Sequence, residues 1–168
     1  MGFFSKDIKT LDDLFVHTLR DIYYAEKKIE KALVNMADKA SDIGLKDSFD
    51  RHRDQTGLHI ERLEKVFEMH GAEAKTIGCP AIEGIIEEAD EIAGDVDDDT
   101  VMDAALIAAA QTVEHYEITR YGTLVAWARE LGRNDCAELL EETLVEERAA
   151  DQVLTNLAES RINLKSAA

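Results

Sequence analysis

Proline and cysteine are scarce in this 168-residue sequence. The single proline is Pro80, so long helices without a break are allowed on either side of it. The two cysteines, Cys79 and Cys136, do not form a pair at metal-ligand spacing. Cysteine-based zinc sites and a disulfide framework are therefore not indicated, and a reducing compartment is expected.

Long apolar runs are also missing. No run approaches the roughly 18 residues that a membrane-spanning helix needs. The first six residues, MGFFSK, are not followed by the apolar stretch of a signal peptide. These two absences predict a protein that stays in the cytoplasm.

Basic residues are outnumbered by acidic ones, 19 against 36, which gives a formal net charge of −17. Such a charge disfavours nucleic acid and anionic membrane surfaces as partners, because their phosphates would repel the chain. It favours attraction of cations. A solvated acidic surface accounts for part of this charge without any partner.

Helix-forming residues dominate what remains, and 45% of the residues are hydrophobic. Residues 1–168 are expected to form one domain. Apolar residues at helical spacing predict four long helices. Their approximate ranges are 8–40, 45–70, 101–131 and 135–163. Pro80 is expected to open a short helix at 81–94, and Thr100 is a candidate cap for the third long helix.

The connections define the topology. The turns near residues 41–44 and 132–134 are short, so each joins two helices into an antiparallel hairpin. The connection from 71 to 100 is long. The sequence therefore predicts an all-α, ferritin-like four-helix bundle of two antiparallel hairpins, with a long crossover that carries an extra short helix.

Polar residues interrupt each apolar stripe near mid-helix. Residues equally far from the turn of a hairpin lie level, so Glu26 is expected beside His59 and Glu117 beside Glu147. The same counting puts Glu114 level with Asp151. His52 lies roughly 10 Å along the helix from His59 and is a weaker ligand candidate.

Carboxylates clustered in a dry core repel one another and need a cation. A pair of divalent metal ions, with bridging carboxylates and a terminal imidazole, meets this need. Asp21, close to Glu26 in the first helix, is a further candidate ligand. The alternative also fits the pattern: edge residues and a hydrogen-bonded polar network without metal.

Several segments resemble the YciF family of ferritin-like bacterial stress proteins. The similar segments are LRDIYYAEK at residues 19–27, QTGLHIERLE at 55–64 and DAALIAAAQ at 103–111, followed by VEHYEI at 113–118. Glu146, Glu147 and Asp151 complete the match, which spans about residues 8–160. The resemblance implies a dimeric four-helix bundle with an extra short helix.

The resemblance also bears on the ligands. In place of the two Glu-x-x-His pairs of well-studied di-iron bundles stand Gln55 with His59 and Glu147 with Asp151, each four residues apart. Glu114 and Glu117 resemble the third-helix pair of rubrerythrin-like proteins. The full candidate ligand set is Asp21, Glu26, Gln55, His59, Glu114, Glu117, Glu147 and Asp151.

These observations lead to one functional hypothesis and one alternative. The hypothesis is a cytoplasmic, homodimeric stress-response protein with a di-iron or di-manganese site, zinc being a further candidate, that handles peroxide or oxygen. The alternative is a metal-free structural or protein-interaction module that keeps the ferritin-like fold. Cage-type iron storage is disfavoured, because no clear fifth helix follows the bundle at the carboxyl end.

Overall fold

The computed structural model describes residues 8–168, and all regular structure in that range is helical. The first six residues, on which the expectation about a signal peptide rests, lie outside the described residues. The helices are α1 (Leu11–Lys39), α2 (Ile43–His70), α3 (Pro80–Asp95), α4 (Asp99–Glu130), α5 (Asn134–Leu157) and α6 (Asn163–Ser166). A π-helical turn, Ala158–Ile162, joins α5 to α6.

Side-chain caps set where α1, α2 and α4 begin. Thr10 and Asp13 form a capping box at the start of α1, and Asp42 accepts a hydrogen bond from the first turn of α2. Pro80 occupies the first turn of α3, as predicted. The expectation that Thr100 caps α4 is wrong: Asp98 accepts from the backbone N–H groups of Thr100 and Val101.

The predicted layout of two hairpins and a long crossover is confirmed. Helices α1 and α2 pack together, as do α4 and α5, and the bundle closes where α2 meets α5 and α1 meets α4. The crossover helix α3 lies outside this bundle against α4 and α1. In the part of the chain from residue 8 onward, no helix combines the length and apolar character needed to cross a membrane.

A buried carboxylate ties the start of α4 to the turn between α1 and α2. Asp103 accepts hydrogen bonds from the backbone N–H groups of Ser41 and Asp42, at 2.8 and 3.0 Å, and from the Ser41 hydroxyl at 2.6 Å. Because three donors from the turn meet one side chain of α4, this contact fixes the register of the two hairpins.

Apolar layers lie above and below a polar layer in the bundle. One layer contains Leu19, Val66, Leu124 and Leu140, all at most 1% exposed. The opposite layer contains Leu33, Phe49, Leu106 and Leu154, all at most 4% exposed. Water is therefore excluded from the polar side chains between the layers, which strengthens every electrostatic interaction there.

Candidate metal centre

The four bundle helices each contribute at least one buried ligand-type side chain to the polar layer. In one group, Glu26 of α1, His59 of α2 and Glu147 of α5 bring one ligand atom each to within 4.8 Å of one another. The second group meets the same limit and consists of His52, Glu114, Glu117 and Glu147. Both groups contain Glu147.

Glu147 faces the two groups with different oxygens. Its Oε1 lies 2.9 Å from His59 Nδ1, and its Oε2 lies 3.6 Å from His52 Nε2. A carboxylate that presents one oxygen to each of two neighbouring groups has the geometry of a bridge between two ions. The same ring nitrogens each face a second carboxylate: Glu26 Oε1 lies 3.6 Å from His59 Nδ1, and Glu114 Oε1 lies 3.1 Å from His52 Nε2.

Glu146 and Arg62 fix the orientation of the His59 ring. His59 Nε2 lies 2.9 Å from Glu146 Oε2, and the Arg62 guanidinium donates to both oxygens of the same carboxylate. With Nε2–H donating to Glu146, the neutral form of the ring would carry its lone pair on Nδ1, which faces Glu147 and Glu26 in the core. This is the usual support for a histidine that binds a metal ion.

Unpaired buried polar atoms are concentrated in this layer. Of eleven buried side-chain nitrogen and oxygen atoms without a hydrogen-bond partner in the described chain, nine belong to the two groups. They are Glu26 Oε2, both ring nitrogens of His52, His59 Nδ1, Glu114 Oε2, and both oxygens of Glu117 and Glu147. His59 Nδ1 is near Glu147 in distance but lacks hydrogen-bond alignment. Buried polar atoms that lack hydrogen-bond partners and belong to groups with ligand atoms within 4.8 Å of one another suit the binding of an ion.

Without a cation, the histidines hold protons in its place. Burial lowers the pKa of His59, but contacts with Glu147 and Glu26 prevail and raise it to about 11. Burial likewise lowers the pKa of His52, and the neighbouring Glu114 and Glu147 raise it to about 9. Two imidazolium ions in the core offset part of the carboxylate charge.

The carboxylates respond to burial in the opposite sense. Burial raises the pKa of Glu147 to about 8 against the stabilising effect of both histidines. The pKa of Glu117 is raised well above 4.5 by burial first, and then by the charges of Glu147, Glu26 and Glu114. Among the described residues no histidine forms a close ion pair with Glu117, whereas Glu26, Glu114 and Glu147 each have one, so the ionised form of Glu117 is the least compensated in the layer.

The donor set fits two divalent ions. Four glutamates, Glu26, Glu114, Glu117 and Glu147, carry four negative charges when ionised, which equals the charge of two divalent cations. The two imidazoles are then neutral ligands. Oxygen-rich donors with one imidazole in each group suit iron, manganese or zinc. Tyr121 donates its hydroxyl proton to Glu26 Oε1 and orients that carboxylate.

Two predicted carboxylate ligands lie outside both groups. Asp21 accepts a hydrogen bond from the Tyr116 hydroxyl at 3.2 Å. Asp151 accepts from Gln111 at 3.0 Å. Gln55 is half-buried on α2, and because the groups are defined by histidine, cysteine and carboxylate side chains alone, its role as a ligand stays a prediction. The structure brings together the other five members of the predicted set: Glu26, His59, Glu114, Glu117 and Glu147.

The position of His52 contradicts the prediction that it is a weaker ligand candidate than His59. His52 and His59 are seven residues apart on one face of α2, and their ring centroids are only 6.3 Å apart. The two side chains lean toward each other, so their rings are closer together than the roughly 10 Å between the two positions along the helix. The two ions of a metal pair are themselves about 3.5–4 Å apart, so both histidines can contribute to one site.

The supporting role of Glu146 was not predicted from the sequence, because no local pattern indicates its contacts with α2.

Fold and site together define a class: ferritin-like four-helix proteins with a buried carboxylate–histidine cluster at mid-bundle. The chain belongs to the family described as Domain of unknown function (DUF892), whose model matches residues 10–167. It is 45% identical to protein YciF of Escherichia coli strain K12 over 161 residues, which covers 95% of this chain and 97% of that protein.

Solved structures agree with this assignment. The crystal structure of the E. coli stress protein YciF superimposes with a TM-score of 0.88 at 46% identity, covering 92% of this chain and 98% of that one. YcfI of Rhodopseudomonas palustris gives 0.89 at 52% identity, with 91% and 98% covered. A two-domain protein from Anabaena variabilis with a ferritin-like domain gives 0.60 at 21% identity, covering 94% of this chain and 39% of that one. The last likeness concerns the fold alone.

Proposed function

We propose that this chain is a cytoplasmic stress-response protein whose bundle core holds two iron or manganese ions and which handles dioxygen or hydrogen peroxide. The observation that carries the proposal is the concentration of nine unpaired buried polar atoms in two groups that share Glu147. The stress-related role is supported by the similarity to E. coli YciF, which is described as a stress protein.

The proposed ligands have distinct roles. Glu26 and His59 would hold one ion, His52 and Glu114 the other, and Glu147 would bridge them, with Glu117 completing the second group. A redox-active metal pair would supply electrons to the oxidant. The chain itself positions the ligands, excludes water with the apolar layers, and fixes the His59 tautomer through Glu146.

The experiment compares oxidant consumption by metal-loaded protein and two glutamine variants. Protein loaded anaerobically with Fe(II) or Mn(II) is mixed with hydrogen peroxide or dissolved oxygen, and the loss of oxidant is followed with an electrode. Glu117→Gln is expected to abolish the protein-dependent rate. Glu138→Gln, an exposed position on α5, is the matched control and should behave as wild type. Equal rates in all three proteins and in free metal would contradict the proposal.

The metal-free structural or interaction module is the second candidate. One observation favours it: in the metal-free core, each histidine already lies within 3.1 Å of a glutamate, so protons partly satisfy the layer. This candidate predicts no metal retention after anaerobic reconstitution and dialysis. It also predicts the same melting temperature with and without metal ions.

We also propose that the chain assembles as a homodimer, as the family resemblance implies. Exposed apolar side chains on α2 support this proposal: Ile43 is 77% and Leu58 50% exposed. Light scattering should give twice the mass of the 18.7 kDa chain. The mass of a single chain across a wide concentration range would contradict the dimer.

A further inference from the structure

An apolar groove on the surface leads toward the candidate metal centre. It lies where α3 covers α1 and α4, and it has a volume of about 270 Å³. Its lining is mainly apolar and includes Met36 of α1, Ile86 of α3 and Leu106 of α4. Helix α3 therefore covers a space beside the bundle, and the side chains of α3 do not fill this space.

A second, much smaller cavity lies deeper in the bundle. Its volume is about 10 Å³, roughly that needed to hold one water molecule. At its inner end it touches His52 and Glu114, two members of the candidate metal centre. His52 Nδ1 and Glu114 Oε2 have no hydrogen-bond partner. Its remaining lining is apolar, with Leu33 and Ala110 among the side chains.

The groove and the inner cavity share three lining residues, Ala32, Met36 and Val113. These side chains border both spaces. Ala32 is too small to close a passage, so Met36 and Val113 form the throat. Methionine has three rotatable bonds and changes shape at low cost, whereas the branched valine is stiff. The throat can therefore open by motion of Met36 without movement of a helix.

We propose that this groove and throat form the entry path for dioxygen to the metal centre, with Met36 and Val113 as the residues that select by size and polarity. The inference rests on the proposed function, because it assigns the oxidant of that same centre. A narrow apolar throat offers no hydrogen-bond partners, so hydrogen peroxide or a hydrated cation would lose solvation on passing it. Dioxygen is small and uncharged and has no such cost.

The first experiment uses metal-free protein and needs no reaction. Dissolved dioxygen is paramagnetic and speeds the relaxation of methyl groups that it contacts, which NMR measures residue by residue. The Leu33 methyls, beside the inner cavity, should relax faster under oxygen pressure than those of Leu140, which is equally buried away from the path. Met36→Phe and Val113→Ile should remove the difference. Val34→Phe, at an exposed position of α1, is the matched control.

The second experiment measures oxidation of bound Fe(II) by dioxygen in a stopped-flow instrument. Two Fe(II) ions give up one electron each, and dioxygen takes these electrons and two protons to become hydrogen peroxide. Both throat variants should slow this reaction at least about tenfold, while the amount of Fe(II) bound is unchanged. Oxidation at the wild-type rate in both variants, or equal oxygen relaxation of Leu33 and Leu140 in wild type, would overturn the path. A wild type that binds no iron would contradict the proposed function instead, and the methyl measurement would still decide about the path.

Discussion

Replacing Glu117 by glutamine should stabilise the metal-free protein. The Glu117 side chain is 0% exposed, and neither of its carboxylate oxygens has a hydrogen-bond partner. In a glutamine variant, one oxygen becomes an amide NH₂ of nearly the same size. This group can donate to Glu26 Oε2, which also lacks a partner. The substitution therefore removes a like charge and pairs two unsatisfied atoms without opening a cavity.

The expected gain follows from the cost of unsatisfied buried groups. Each such group costs about 1–3 kcal/mol, so pairing one oxygen and removing the repulsion should raise the free energy of unfolding by about 2 kcal/mol. For a chain of this size, that corresponds to a rise in melting temperature of roughly 4–8 °C. By contrast, a substitution at a well-packed buried position usually lowers the free energy of unfolding by a similar amount.

The stabilisation should grow with pH. The pKa of Glu117 is raised on folding from 4.5, first by burial, so the folded chain holds this proton more tightly than the unfolded chain does. Its contribution to stability is fully present below about pH 4.5 and is lost as pH rises toward the folded pKa. Glutamine does not titrate, so the variant is spared this loss.

Thermal unfolding with a chelator present, at several pH values between 5 and 8, measures both effects. Glu138→Gln removes one acidic charge from an exposed position of α5 and should change the melting temperature little at any of these pH values. A Glu117→Gln variant that melts below wild type at neutral pH would contradict this prediction. A rise in melting temperature that is the same at every pH would contradict it as well.

Two further substitutions test contacts that support the site. Asp103→Ala should lower the free energy of unfolding by about 3 kcal/mol in urea titrations, because it removes three hydrogen bonds from Ser41 and Asp42 worth about 1 kcal/mol each. Asp103→Asn, which keeps an acceptor, should lose clearly less, and equal losses would refute this account. Glu146→Gln should weaken metal binding by about 10–100-fold in calorimetry, because it no longer holds the His59 ring as a carboxylate. Unchanged affinity would show that Glu146 does not support the ligand.

Much of the fold was predictable from the sequence, since turn lengths and apolar periodicity follow local rules. The short turns force antiparallel hairpins, and counting from them puts Glu26 level with His59 and Glu117 with Glu147. The prediction of where α5 ends was less accurate. The predicted helix to residue 163 ends as an α-helix at Leu157 and continues through a π-helical turn, which no local residue signal indicates.

The predicted ligands Asp21 and Asp151 lie outside the two groups. They show where matching residues only by their distance from the turn of a hairpin fails. Asp21 is five residues before Glu26, which turns its side chain roughly 140° around the helix. Asp151 is on the same face as Glu147 but about 6 Å further along, and its short side chain bonds Gln111 instead. Position along a bundle therefore predicts a site only together with angular position and side-chain length.

Glu146 illustrates a limit of a different kind. It stands beside Glu147, about 100° around α5, where a periodic pattern reads it as a surface residue. Its function in the structure comes from His59 and Arg62, more than eighty residues earlier in the chain. Contacts between distant segments decide such supporting residues, and helical periodicity carries no information about them.

The number of metal ions bound per chain decides whether the bundle core is a two-metal site. Anaerobic equilibrium dialysis with Mn(II), followed by elemental analysis, should find two tightly bound ions per wild-type chain and the same in Glu138→Gln. Glu147→Gln should lose both ions, because Glu147 is the residue that the two groups share. Two ions retained by Glu147→Gln, or none bound by wild type, would contradict the account.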